Sequence, residues 1–253
     1  MKHGKFILEA CVDSPESAVA AQRGGADRLE LCGHLIIGGV TPDEWLFRKV
    51  KEVCELPVRV LIRPRFGDFC YTNYEFEIIE AQVKHFRQMG ADAVVIGCLR
   101  PDGTLDMERM KRLVDLAGDM EVTLHRAFDV CSDPCEALEQ AISLGIGTIL
   151  TSGQESSCMK GQECLRKLQE QADGRITLMA GAGVNADVIR KIYSLTGLTA
   201  YHMSGKRVED SAMQYRREGV PMGLPGISEF EIWRTDADEI RCAAEILSKF
   251  PKN

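Results

Sequence analysis

The sequence predicts an α/β protein, and within that class a single-domain (β/α)8 TIM-like barrel. Eight short apolar segments occur along the 253 residues, and helical or loop segments of about 10–20 residues separate most of them. Strands that alternate with helices indicate parallel βαβ units, and eight such units at this length fit a closed barrel. A doubly wound open sheet is the alternative. No linker rich in Pro, Gly or Ser divides the chain, so we expect one domain over residues 1–253.

The first repeat unit shows each part of this pattern. Residues 6–11 are typical of a strand, and Asp13 precedes Pro15 and Glu16 in an arrangement that indicates a helix start. A Gly-Gly pair at 24–25 then ends the helix. We therefore expect the second strand to begin immediately afterwards, near residue 28.

The other units follow the same order with variations. Each of the segments GGADRLELC, MGADAVVIGC and LGIGTILTSG leads from the end of a helix through glycine into a strand. We expect the strands to begin near residues 6, 28, 57, 92, 121, 146, 175 and 198. This places the barrel core at about 6–205 and a C-terminal tail at about 206–253.

Composition excludes several classes of function. The net charge of −7 leaves no basic surface of the kind that binds nucleic acid or an acidic membrane. No apolar stretch approaches the ~20 residues that a membrane span needs, and Glu9 interrupts the short N-terminal apolar run. The ten cysteines are therefore expected to be free thiols in a reducing, cytoplasmic compartment.

Two of these cysteines differ in kind from the rest. The pattern E-x-C occurs at Glu9 and Cys11 in the first strand and again at Glu30 and Cys32 in the second. Residues two apart share a face of a strand, here the face expected to point into the barrel. Adjacent strands lie ~4.8 Å apart, so the two thiols can approach each other. Thiolates are soft ligands that select Cu(I), although two buried thiols that merely adjoin would give the same pattern.

Further polar residues follow the predicted strands, at the end of a barrel where active sites form. The candidate catalytic residues are Glu9, Glu30, Arg63, His125, Asp129 and His202. A buried carboxylate needs a cation, and we expect Arg63, His125 and Arg126 to supply it. One of the glutamates would act as the general base and one histidine as the proton donor, and a divalent metal on the carboxylates is a further option. The alternative is an ion-pair network that only closes the barrel.

An anion-binding group is also expected at this end. Arg63 and Arg65 would hold a negative charge, and the MAGAGV segment places Gly181 and Gly183 in a turn that opens a helix. Ser204, together with Ser152, would complete a site for phosphate. A tight turn between a strand and a helix needs glycine in any case. A phosphate site and a purely structural turn are therefore the two interpretations of this segment.

The remaining cysteines are interpreted by position. No C-x-x-C motif occurs, and Cys131 and Cys135 form a poor chelate. We expect Cys158 to be exposed in a loop and Cys70 and Cys98 to line the barrel mouth. The cysteines expected to be small buried residues of helical segments are Cys54, Cys164 and Cys242.

Long segments of the chain resemble one family. The segments are LEACVDSPESAVAAQRGGADRLELC, GGVTP, IRPRFGDFCY, LHRAFD, LTSGQ, MAGAGV and SAMQYRREGVPMG. Over about residues 7–223 they are similar to the CutC family, described as copper homeostasis proteins. The resemblance implies a TIM-like barrel, a cytoplasmic location, a role in copper handling and self-association as a dimer or larger assembly. The Cu(I) ligands suggested for the family are two cysteines that fall on Cys11 and Cys32. The chain departs from the family pattern at Asp43 and Met203, where Ser is common.

Three functions therefore remain open, and the sequence does not determine whether the protein is an enzyme. The first is Cu(I) binding through Cys11 and Cys32, which leaves the charged residues without a role. The second is an enzyme that acts on a small anionic or phosphorylated molecule. The third is a structural role, which charged residues inside a barrel disfavour.

Overall fold

Eight parallel strands form a closed barrel in a computed structural model that describes residues 6–217, 219–220, 222–223 and 226–251. Each strand pairs with the next along the chain, and the eighth pairs with the first. The strands are β1 (Ile7–Val12), β2 (Arg28–Leu31), β3 (Val58–Leu61), β4 (Ala93–Ile96), β5 (Glu121–Leu124), β6 (Thr148–Thr151), β7 (Thr177–Ala180) and β8 (Ala200–Met203). The barrel prediction is confirmed, and the open-sheet alternative is wrong because the strand ring closes.

Helices surround the barrel, and most begin at a side chain that caps the free N–H groups of the first turn. They are α1 (Pro15–Gly24), α2 (Glu44–Val53), α3 (Asn73–Gln88), α4 (Met107–Ala117), α5 (Pro134–Ser143), α6 (Gln162–Ala172), α7 (Ala186–Thr196) and α8 (Ala237–Ser248). The first helix is capped by Ser14, which accepts a hydrogen bond from the Ser17 N–H. Asp13, expected at this position, instead accepts from the Leu35 N–H. The carboxylate of Asp13 thus ties β1 to the loop after β2.

The segment after residue 205 supplies the last helix of the ring. Strands β9 (Lys206–Asp210) and β10 (Glu231–Thr235) form an antiparallel pair, and α8 follows and contacts α1 and α7. The contact between α1 and α8 is close, because a Cβ on Gly24 would lie 2.5 Å from the Ile240 Cβ. The helix that completes the eighth βα unit therefore lies after residue 205, in the segment that was expected to be a C-terminal tail.

The outward face of the barrel is apolar and packs on these helices. Leu8, Ala10, Leu29 and Leu31 are fully buried there, as their alternation with E-x-C predicts. The inward face of β1, β2 and β3 carries charged residues and thiols instead. Among the described residues, no helix is long and apolar enough to cross a membrane.

Candidate functional site

The two E-x-C motifs are offset from each other by two residues in the strand register. In the pairing of β1 with β2, Glu9 lies beside Arg28 and Cys11 lies beside Glu30. Cys32 follows Glu30 by two residues, so it lies nearer the C-terminal mouth of the barrel than Cys11 does. The Sγ atoms of Cys11 and Cys32 are 3.5 Å apart, both side chains are buried, and both thiols are free.

The environment of this thiol pair keeps both groups protonated. The hydrogen bond with Cys32, together with burial, raises the pKa of Cys11 well above 9. The hydrogen bond from Cys11 lowers the pKa of Cys32, but burial and the Glu30 charge outweigh it and bring this pKa to about 11. The metal-free pair is thus a pair of neutral thiols at neutral pH.

Glu9 is the most completely paired charge in the barrel. The carboxylate lies 2.6 Å from the Arg28 Nε, 3.6 Å from the Arg59 Nε and 2.8 Å from the His202 Nδ1. Burial raises the pKa of Glu9, but these cations outweigh burial and bring the pKa to about 2. Glu9 is therefore a fixed anion whose lone pairs are used by its partners.

The cations that pair with Glu9 differ from those expected. Arg63, His125 and Arg126 make no hydrogen bond or ion pair with either glutamate among the described contacts. The partners are instead Arg28 and Arg59, which lie within β2 and β3 and not at the strand ends where cations were predicted. Strand parity gives a signal for Arg28, which lies two residues before Glu30 and so shares its inward face.

His202 bridges the two glutamates. Its Nδ1 lies 2.8 Å from the Glu9 Oε1, and its Nε2 lies 3.3 Å from the Glu30 Oε2. Burial lowers the pKa of His202, but Glu30, Cys11 and Glu9 raise it well above 6.5. Burial and the Glu9 charge raise the pKa of Glu30 above 4.5, although His202 acts in the opposite direction. His202 therefore favours its protonated form between the two glutamates, beside the thiols.

Two overlapping groups of side chains have donor atoms close enough together to hold a metal ion. Cys11, Glu30 and Cys32 form one group, and Glu9, Glu30 and His202 form the other. All donor atoms within each group lie within 4.8 Å of one another. The first group offers soft sulfur donors, whereas the second offers the oxygen and nitrogen donors that suit a divalent ion.

Four of these side chains, Cys11, Cys32, Glu30 and His202, line a pocket of about 320 Å³ at the C-terminal mouth of the barrel, and Glu9 does not. The lining also includes Arg63, Phe69, His125, Arg126, Gly183 and Ser204. The pocket volume falls in the range of small-molecule sites, so the barrel mouth is an open cavity.

Arg63 and His125 are buried residues of the pocket lining. The Arg63 guanidinium donates to the carbonyls of Gly38, Gly39 and Gly67 at 3.2, 3.1 and 2.7 Å. The Nδ1 of His125 accepts a hydrogen bond from the Ala127 N–H, so the neutral ring carries its proton on Nε2. Burial and the Arg63 charge lower the pKa of His125 to about 3. His125 is therefore a neutral hydrogen-bond donor.

Several expected site residues lie outside the pocket lining. Asp129 accepts hydrogen bonds from Thr151, Ser152 and Arg126, so its carboxylate joins the loop after β5 to the end of β6. Ser152 is used in the same contact. Arg65 pairs with Asp68 and Glu75 at 2.9 and 2.6 Å.

The glycine turn after β7 contributes only in part to the pocket. Gly183 and Ser204 line it, but Gly181 does not. A Cβ on Gly181 would lie 2.7 Å from the Leu150 Cδ1, so packing accounts for this glycine. Ala182, between the two glycines, lines the pocket with a positive φ of 67°, a strained conformation for a residue with a side chain.

Four of the other cysteines depart from expectation. Cys158 is fully buried rather than exposed, and Cys242 is exposed rather than buried. Cys98 lies in the apolar core, and neither it nor Cys70 lines the pocket. The burial of these cysteines depends on the face of the helix that each occupies and on the path of each loop. The spacing of residues along the chain specifies neither.

Fold and site together define a TIM-barrel protein with a buried thiol–carboxylate–histidine cluster at the mouth of the barrel. The chain belongs to the CutC family, because the model of that family matches residues 6–207. A family protein CutC from Histophilus somni is 43% identical over 233 residues, which cover 92% of this chain and 96% of that protein. The human copper homeostasis protein cutC homolog is 42% identical over 237 residues, 93% of this chain and 87% of that protein.

Solved structures agree with this assignment. A CutC crystal structure from Streptococcus agalactiae has a TM-score of 0.75 and 28% identity, and the match covers 79% of this chain and 98% of that one. Thiamine phosphate pyrophosphorylase from Pyrococcus furiosus matches over 98% of both chains with a TM-score of 0.56. At 16% identity, the second likeness shows the barrel fold alone.

Proposed function

We propose that this protein binds Cu(I) in the cytoplasm through Cys11 and Cys32, as part of copper homeostasis. The observation that carries the proposal is the 3.5 Å separation of the two Sγ atoms at the wall of an open pocket. Two free thiols at this distance can ligate one ion together with little backbone movement. The names of the human and mouse relatives support a copper-related role.

The donor set fits a soft, monovalent ion. Thiolates select Cu(I), and the pocket gives access to the two sulfur atoms from solvent. Because both thiols are protonated in the metal-free protein, binding one Cu(I) as a bis-thiolate releases two protons. The proton-bearing His202 lies beside Cys11 and would balance the negative charge of the complex.

An anaerobic Cu(I) titration against a colorimetric Cu(I) chelator tests this proposal. The wild-type protein should take up one tightly held ion per chain, and Cys11→Ser/Cys32→Ser should lose it. The matched control is Cys70→Ser/Cys242→Ser, which also removes two thiols but leaves the pair intact. Equal stoichiometry and affinity in the pair variant and the wild type would refute the proposal.

Location and assembly are part of the same proposal. The ten cysteines are all free, as in a reducing compartment. The segment between β9 and β10 exposes Met213, Tyr215 and Met222, which suits association of copies into a dimer or larger assembly. Sedimentation velocity would show a species at least twice the chain mass, and a monomer at all concentrations would contradict self-association.

A second candidate is an enzyme that acts on a small anionic molecule. It is favoured by the contact of Glu30 with His202 at 3.3 Å, since both side chains line the pocket and both pKa values are raised. A carboxylate and an imidazolium so placed can exchange a proton with a bound substrate. Glu9 and Asp129, also expected to be catalytic, are occupied by their partners.

Metabolite turnover separates this candidate from copper binding. Metal-free protein is incubated with a panel of phosphorylated and carboxylated metabolites, and products are detected by mass spectrometry. Turnover should be lost in Glu30→Gln and retained in Glu108→Gln, a substitution in the first turn of α4. If no metabolite is converted, or if Glu30→Gln is as active as the wild type, the candidate fails.

A further inference from the structure

Two side chains of the pocket lining each carry a buried hydrogen-bond donor without an acceptor in the described chain. Among the described residues, the Nε of Arg63 and the Nε2 of His125 have no hydrogen-bond partner and no contact with solvent. Arg63 is 9% exposed and His125 is 4% exposed. An unsatisfied buried donor is unfavourable, and more so when it is charged, so a pair of them in one pocket lining needs an explanation.

The charge of Arg63 is also unbalanced within the described chain. Its guanidinium is held by three backbone carbonyls, and no described carboxylate lies within ion-pair distance of it. The neighbouring arginines differ, since Arg65 pairs with Asp68 and Glu75, and Arg126 pairs with Asp129. A buried cation without an anion is costly, so the arrangement favours a negative group from outside.

The two donors are held in place on the same side of the pocket. The ring of Phe69 packs on both, with its centroid 4.9 Å from the Arg63 Cζ and 4.7 Å from the His125 ring centroid. Gly97 makes room for the imidazole, because a Cβ there would lie 2.5 Å from the His125 Cε1. The Ala127 N–H donates to the His125 Nδ1 and fixes the orientation of the ring. The donors are therefore preorganised before any ligand arrives.

We propose that Arg63 and His125 form a binding site for the anionic group of a small molecule, a carboxylate or a phosphate. Both residues line the same pocket as the thiols, so the rest of the ligand would extend toward Cys11, Glu30 and His202. The site is independent of copper binding and supplies the binding half of the enzyme candidate. It also differs from the expected phosphate site, because it uses neither Gly181 nor Arg65.

Calorimetric titration of the metal-free protein with inorganic phosphate and, separately, with malonate tests the proposal at constant ionic strength. The protein carries Cys11→Ser/Cys32→Ser, so the result does not depend on the thiols. At least one anion should bind saturably, and Arg63→Lys and His125→Asn should each weaken it by about tenfold or more. Arg65→Lys is the matched control, since it changes a neighbouring arginine outside the pocket.

A second measurement keeps the test valid if a variant folds poorly. In ¹⁵N spectra of the imidazole groups, the Nε2–H signal of His125 should shift as the anion is added, while the ring stays neutral. The phosphate and malonate arms distinguish the two kinds of anionic group. Absence of saturable binding of either anion, or equal affinity in wild type, Arg63→Lys and His125→Asn, would overturn the proposal.

Discussion

The Cys11 Sγ lies 3.5 Å from the Cys32 Sγ, although the strand register places Cys11 beside Glu30. The thiols therefore meet diagonally across β1 and β2, and the Glu30 carboxylate lies next to both of them. This arrangement puts a soft metal-binding pair and an ionisable carboxylate in one small volume. The protonation state of the carboxylate and thiols and the binding of a metal ion therefore influence each other.

Removing the closest cation from Glu9 should destabilise the protein. Arg28→Met leaves a buried carboxylate that retains only Arg59 and His202, and we expect a loss of about 3 kcal/mol in the free energy of unfolding. Lys111→Met, which breaks an exposed pair with Asp115, should cost less than about 0.5 kcal/mol. Urea unfolding measures both, and similar losses in the two variants would contradict the central role of this ion pair.

Burial of neutral His125 should make the fold sensitive to acid. Its pKa of about 3 is below the ordinary 6.5, so between these values the unfolded chain binds a proton that the folded protein does not. The His125 contribution is full above about pH 6.5 and is lost as the pH falls toward 3, by at most about 1.4 kcal/mol per pH unit. The stability difference between wild type and His125→Asn should shrink by this slope from pH 6.5 to 4.5. A difference that is constant with pH would contradict the assignment.

Cu(I) affinity should increase with pH. Both thiols have pKa values above 9, so at neutral pH each must lose a proton before it can ligate the ion. Up to two protons are released per ion, and the affinity should rise by up to about a hundredfold per pH unit between pH 6 and 8. Chelator competition at three pH values, corrected for the chelator's own titration, measures the slope. An affinity that does not change with pH would show that the thiols are not the ligands.

Gly97→Ala should disturb His125 specifically. The added Cβ would lie 2.5 Å from the His125 Cε1 and 2.9 Å from the Ala127 Cβ, so the imidazole must move. We expect a loss of about 1–3 kcal/mol in unfolding free energy and weaker anion binding. Gly147→Ala is the control, because its nearest neighbour is the Val122 carbonyl oxygen at 3.9 Å. Equal stability of the two variants in urea unfolding would contradict this placement.

Local pattern was sufficient for the barrel. Every strand begins within two residues of its expected position, because alternating strand and helix signals repeat with glycine at most helix-to-strand junctions. The same parity rule placed Glu9 and Cys11 on one inward face of β1. It applies equally to Arg28, which precedes Glu30 by two residues in β2.

Strand parity does not predict which polar groups these side chains contact. Arg63 was expected to neutralise a glutamate. Its guanidinium instead donates hydrogen bonds to three carbonyls in the loops after β2 and β3. Asp129, a predicted catalytic residue, accepts hydrogen bonds from Thr151 and Ser152 at the end of β6. Which polar groups satisfy each other depends on loop paths that no short segment encodes.

The sequence by itself determined the strand order, the inward face of each E-x-C motif and the resemblance that the family match bears out. Only the tertiary structure decided which residues share a layer of the barrel, because that depends on the stagger between neighbouring strands when the sheet closes. That stagger brings His202 of β8 between Glu9 and Glu30 and sets the two thiols diagonally across β1 and β2. Packing also leaves Arg63 and His125 in the pocket lining, each with one buried donor that has no partner among the described residues.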